Sequence, residues 1–215
     1  MSQSFNDKIV RDFQKSFENL CLSLLHEGYG FMQSDNRYRT NWSEENLTAY
    51  LYWCLKQLES RLDNQISVHC EVRQYDEKHF FEGFTAKSAP RIDMELSKWY
   101  STFEIVFQVE AKILFETDKI TTKGNNVSAT KGHKRYIETG IDHFQTGYYP
   151  MPGCMVGYVV EGDVANIIDS INAIIAASNK GKITRSLSSD FSAMHLSSIT
   201  TENGVVDLRH FMLKL

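Results

Sequence analysis

STFEIVFQVEAKIL (101–114) alternates with a period of two. Phe103, Ile105, Phe107, Val109 and Ala111 share one face, while Val106, Gln108, Glu110 and Lys112 share the other. Residues i and i+2 of a strand project from one face, about 6–7 Å apart along the chain. The stretch therefore predicts a strand that carries two charged side chains on an otherwise apolar ladder. RIDMELSKWY (91–100) alternates just before it, with Ile92, Met94 and Leu96 opposite Arg91, Asp93 and Glu95. The two segments read as a β-hairpin.

Working outward, ISVHCEVRQYD (66–76) and CMVGYVVEG (154–162) are further strands, and the chain ends in a hairpin of 194–200 and 205–215. Leu47, Leu51, Cys54, Leu55, Leu58 and Leu62 recur at helical spacing behind Ser43, a plausible N-cap. Helices are also predicted at 4–26, ended by the glycines of HEGYG, at about 131–146, and at 163–178 with Asp163 near its start. Residues 27–42 read as loop with room for a short strand, and 116–129 as a polar loop. The order α-α-βββ-α-β-α-ββ describes an α/β protein, a mixed central sheet flanked by helices. With no repeat, low-complexity tract or linker in 215 residues, one domain spanning 1–215 is expected.

Hydrophobic residues at 42% and charged residues at 23% fit a globular protein, and no apolar run approaches a membrane span. Residues 1–20 lack the basic-then-apolar pattern of a secretory signal. Cys21, Cys54, Cys70 and Cys154 lie far apart without metal-ligand spacing, which suggests free thiols in a reducing cytoplasm. His133, His143, His195 and His210 show no metal or triad spacing either. They read as structural or surface residues, with His195 and His210 as cross-strand neighbours. No glycine-rich phosphate loop is present. The net charge of −4 argues against a protein that coats nucleic acid. Between Lys112 and Arg135, however, six basic residues face two acidic ones, a local +4 suited to phosphate.

Glu110 and Lys112 are the pair with chemical potential. Charges inside an apolar strand are costly and are usually retained for a reason. Phosphodiester hydrolysis needs a hard cation on oxygen ligands, an activated water, and neutralisation of developing charge. Glu110 and Asp93 supply carboxylates, the Ala111 carbonyl is a further candidate metal ligand, and Lys112 can orient or activate the water. This donor set suits Mg²⁺ or Mn²⁺. A bare [DE]xK arises about once or twice in a chain of this size, and Asp76-Glu77-Lys78 is a second match in a charged segment. The alternative for Glu110–Lys112 is an ion pair on an edge strand.

Pro90-Arg91-Ile92-Asp93, followed by a hairpin into Phe107-Gln108-Val109-Glu110-Ala111-Lys112, resembles the PD-(D/E)XK nuclease superfamily over about residues 43–162. Pro and Asp are not adjacent here; an Arg-x-Asp form stands in their place. The resemblance implies a restriction-endonuclease-like fold, metal-binding roles for Asp93 and Glu110, and a catalytic role for Lys112. It also implies a glutamate from the preceding helix, Glu44 or Glu45. Helical geometry favours Glu44, on the Leu47/Leu51/Leu58 face. KGHKRYIETGIDHF resembles the helix that meets substrate in these nucleases. Lys131, Lys134 and Arg135 are the phosphate-contact candidates there, with Lys123 in the loop before them and Tyr136 behind them.

The expected function is Mg²⁺-dependent cleavage of nucleic acid, DNA before RNA, with restriction or anti-phage defence as the analogous setting. Cutting a duplex suggests a homodimer or a separate DNA-engaging subunit, with Tyr148–Met155 or the C-terminal hairpin as the contact. The competing reading is a catalytically silent nuclease-fold subunit that binds nucleic acid or protein.

Overall fold

The computed structural model describes residues 5–75, 89–120, 126–176, 181–185 and 193–215, with side chains described from residue 12 onward. Asp76–Lys78 and Lys123 lie outside the described residues. Along the chain run helices α1 (Phe5–Asp35), α2 (Glu44–Gln57) and α3 (Glu59–Asp63), then strands β1 (Ser67–Arg73), β2 (Arg91–Tyr100) and β3 (Phe103–Phe115). A two-residue pair, β4 (Lys119–Ile120) and β5 (Asn126–Val127), precedes α4 (Ala129–Tyr136), a π-turn (Ile137–Ile141) and α5 (Asp142–Gln145). Strand β6 (Gly153–Glu161), helix α6 (Val164–Ile175) and strands β7 (Thr184–Arg185), β8 (Met194–Thr201) and β9 (Gly204–Lys214) complete it.

The sheet has six full strands, with the two-residue β7 on one edge, in the order β1-β2-β3-β6-β9-β8-β7. Strands β3, β6 and β9 run parallel at its centre, and the hairpins β1–β2–β3 and β8–β9 extend it antiparallel on either side. This is the mixed, helix-flanked α/β sheet that the alternating segments predict. The parallel centre is buried throughout, as its apolar composition requires: in β6 only Glu161 is exposed. One core cluster joins α1 and α2 to the odd-numbered positions of β3, including Phe107, Val109 and Ala111. The second joins Tyr136, Ile137, Ile141 and the isoleucines of α6 to Leu114, Met155 and Val159.

Three local expectations need correcting. HEGYG does not end the first helix, which continues to Asp35. A Cβ at Gly28 would come within 2.7 Å of Leu55 Cδ2, so this glycine serves close packing of α1 on α2. The helix stops where Asn36 adopts φ +47. The second helix breaks at Leu58, whose extended backbone ends α2 and precedes α3. Finally, Ile92 does not share a face with Met94 and Leu96: it packs in the second cluster and they pack in the first. The β2–β3 ladder ends at Met94↔Val109, so strict alternation is lost where β2 leaves its partner.

Candidate active site

The departure of β2 creates the site. Beyond Val109, the N–H groups of β3 that would have met β2 need other acceptors, since a buried unpaired amide costs about 1–3 kcal/mol. Carboxylates supply them. Ala111 N donates to Asp93 Oδ2 at 2.8 Å, and Ile113 N donates to Glu44 Oε2 at 3.1 Å. Two acids far apart in sequence are thereby fixed against one strand edge, with Glu110 and Lys112 between them.

Glu110 and Lys112 are 4% and 5% exposed, deep for charged groups. Lys112 Nζ donates to Glu110 Oε1, and to the Ala111 carbonyl at 2.8 Å, and stands 3.6 Å from Glu44 Oε1. Burial pushes Glu110 up to about 7, against the opposing pull of Lys112. Burial likewise raises Asp93, with Lys112 again opposing. For Lys112, burial pulls the ammonium down, but Glu110, Glu44 and Asp93 together hold it above its ordinary value. Three carboxylates around one ammonium keep the lysine charged and leave excess negative potential.

That excess has a specific locus: Glu110 Oε2 is buried and receives no well-formed hydrogen bond, with the Tyr149 hydroxyl as a nearby donor. The neighbouring Tyr149 hydroxyl, whose proton affinity is raised by burial and by Glu110, gives its own hydrogen bond to the Arg91 carbonyl at 3.1 Å. A buried carboxylate oxygen short of a hydrogen bond, with Asp93 near enough to raise its proton affinity, is the kind of ligand a hard cation takes, one or two carboxylates with water completing the shell. Among the described residues there is no group of three or more His, Cys, Asp or Glu placed to hold a metal. Asp93, Glu110 and the Ala111 carbonyl are the candidate oxygen donors, the last with one lone pair already engaged by Lys112.

The two first-turn glutamates separate. Glu44 reaches Lys112 and Ile113, whereas Glu45 is exposed, and its carboxylate is held down by its own backbone N–H and by Ser43. Both line a groove of about 430 Å³ together with Ile113, Ser128, Lys131 and Arg135. Arg135 Nη2 lies 3.9 Å from Glu44 Oε1, which links the groove to the carboxylate centre. Lys134 is exposed but does not line the groove. Ser128 caps α4 and Asp118 accepts from Ala129 N at 2.8 Å, so the basic helix is anchored at its start.

Tyr136 is not beside the carboxylates. It is fully buried and bonded to His210 Nδ1 at 2.9 Å, and His210 Nε2 meets Ser197 Oγ at 2.8 Å. His195 does face His210 across β8 and β9, and His133 is a buried structural residue bonded to the Phe115 carbonyl at 2.8 Å. Tyr149 and His143 are the neighbours that sequence reasoning did not assign to the centre. Tyr149 follows a π-turn and a short helix, elements with no periodic signature, and its link to Arg91 spans 58 positions.

No protein-family model matches the chain, and no curated protein or solved structure matches it significantly. No described helix is long and apolar enough to cross a membrane.

Proposed function

We propose that the protein is a Mg²⁺- or Mn²⁺-dependent nuclease of the PD-(D/E)XK kind. The observation that carries this reading is the convergence of Asp93, Glu110 and Lys112 where β2 leaves β3, with Glu110 Oε2 buried and without a well-formed hydrogen bond. Asp93, Glu110 and the Ala111 carbonyl would hold the cation. When bound, it polarises a phosphodiester and lowers the proton affinity of a water.

The chain's own residues do the rest. Lys112, kept charged by its three carboxylates, orients the attacking water and balances charge developing on the phosphate. Glu44 fixes the lysine from the opposite side and is itself held by the Ile113 N–H. Lys131 and Arg135 on the groove wall receive the phosphate backbone. The wall is short and the whole chain carries −4, so affinity for nucleic acid is modest unless a second copy or a DNA-engaging subunit contributes. Restriction or anti-phage defence, with DNA as the polymer, is the setting we propose.

Incubating labelled DNA with the protein and Mg²⁺ or Mn²⁺ tests the reading. Cleavage that needs the cation and vanishes in Lys112→Ala supports it, and DNA left intact by the wild type at every cation removes it. A second reading is favoured by one observation: Asp93 and Glu44 already serve as acceptors for the free edge of β3, which a non-catalytic scaffold also needs. In that reading the protein is a nucleic-acid-binding or protein-interaction module, and Asp93→Asn costs stability without any loss of metal affinity.

A further inference from the structure

Beside the carboxylate centre, on Tyr149's side, stands a ladder of aromatic rings that the proposed chemistry leaves unused. Tyr149 is buried with its hydroxyl next to Glu110. Its ring centroid lies 5.0 Å from that of His143 and 5.2 Å from that of Tyr148. His143 and Tyr148 are 4.3 Å apart at an interplanar angle of 40°. Tyr148 remains 44% exposed. The rings thus run from the reactive carboxylate outward to solvent. The inner end is rigid: Phe144 packs against Tyr149 with centroids 5.5 Å apart, and Tyr149 N donates to the His143 carbonyl at 3.0 Å. The outer ring is open.

We propose that Tyr148, backed by His143 and Tyr149, is a stacking platform for an unpaired nucleobase, so that the site takes single-stranded nucleic acid or a frayed strand end. The inference rests on the nuclease reading for its phosphate, and names the substrate class that reading leaves open. Three features point the same way. An aromatic face accepts the face of a base, which in a duplex is covered by its stacked neighbours. The groove beside Glu44, about 430 Å³, brings two cations, Lys131 and Arg135, to the carboxylate centre for a phosphate backbone. A duplex carries one charge per about 1.7 Å of axis and needs a broad basic face to neutralise it. This chain carries −4 overall and lines the groove beside Glu44 with Lys131 and Arg135, whereas stacking gives affinity without further positive charge. One strand laid across the centre would place its phosphates on Lys131 and Arg135 and a base on Tyr148.

The test is fluorescence anisotropy with a short dye-labelled oligodeoxynucleotide, single-stranded or annealed to its complement, at low salt and without divalent cation. Wild type should bind the single strand more tightly than the duplex. Tyr148→Ala should weaken single-strand binding about tenfold and leave duplex binding unchanged, while Tyr148→Phe keeps the preference. Tighter binding of the duplex, an equal loss for both probes, no loss in Tyr148→Ala, or no binding of either probe overturns the proposal. Cleavage is read separately with Mg²⁺. A protein that prefers the single strand through Tyr148 yet never cuts keeps the platform and loses the nuclease reading. One that cuts duplex regardless of Tyr148 does the reverse.

Discussion

Two buried polar clusters among the described residues differ in the one respect that separates structure from chemistry. The first is the chain Tyr136–His210–Ser197 beneath the C-terminal hairpin. Burial raises the Tyr136 hydroxyl and drives His210 down to about 3, with His195 adding to the second effect. Both groups are therefore neutral, and either imidazole tautomer can bond Tyr136 at Nδ1 and Ser197 at Nε2, since both hydroxyls donate or accept. Both ring nitrogens have partners. The second cluster, Asp93–Glu110–Lys112–Glu44, is as deeply placed at its centre but charged, over-supplied with carboxylate, and short of one donor at Glu110 Oε2. It also adjoins a groove. Burial alone does not mark a site; a charged group kept buried with an unmet bonding need does.

Lys112→Ala removes the ammonium at the heart of the charged cluster. Cleavage should fall by at least about a hundredfold, the scale of one positioned acid–base or charge-stabilising group, while circular dichroism shows an intact fold. Equal cleavage would put the second cluster on the same footing as the first.

Next in size is the metal. Calorimetric titration of Mn²⁺ should give binding in wild type and none in Asp93→Ala. The pH dependence follows from Glu110, pushed up to about 7 by burial. Below that pH the carboxyl must lose a proton before it can ligate, so affinity rises about tenfold per pH unit toward 7 and levels off above it. Affinity that is flat from pH 5 to 8 removes Glu110 from the site.

Lys131→Ala combined with Arg135→Ala should weaken nucleic-acid binding and lower the slope of log affinity against log salt by about 1–2. If the double variant binds and cuts as wild type does, α4 is a plain solvated face.

The neutral cluster responds through stability alone. Tyr136→Phe leaves His210 Nδ1 without its hydrogen-bond partner and should cost about 1–3 kcal/mol in chemical denaturation, with Mn²⁺ affinity unchanged. His210 also sets a sign. Its folded value lies below the usual histidine value of 6.5, so its contribution to stability is complete above about 6.5. That contribution is lost as pH falls toward 3.

Much of this was legible in the sequence because it is periodic or local. Two-residue alternation announces β2 and β3 as a hairpin, and they do pair from Met94↔Val109 to Tyr100↔Phe103. Asp163 accepts from Ala165 N at 2.8 Å as the N-cap of α6, and Ser43 accepts from Asn46 N at 3.3 Å ahead of α2. Such patterns depend on neighbours within one turn or one strand, and one-dimensional order contains them.

Other features answer to partners far along the chain. HEGYG carries the usual stop residues, yet Gly28 sits mid-helix because Leu55 needs its space. The first turn of α2 offers Glu44 and Glu45 on equal terms of composition. Helical phase favours Glu44, but only the free edge of β3 shows what it meets, the Ile113 N–H 69 positions away. The parting of β2 from β3 at Asp93, the under-bonded oxygen of Glu110 and the approach of Tyr149 share that origin. Periodicity reports which face a side chain takes. What waits on that face, and whether its bonds are met, is decided when distant strands and helices close on one another.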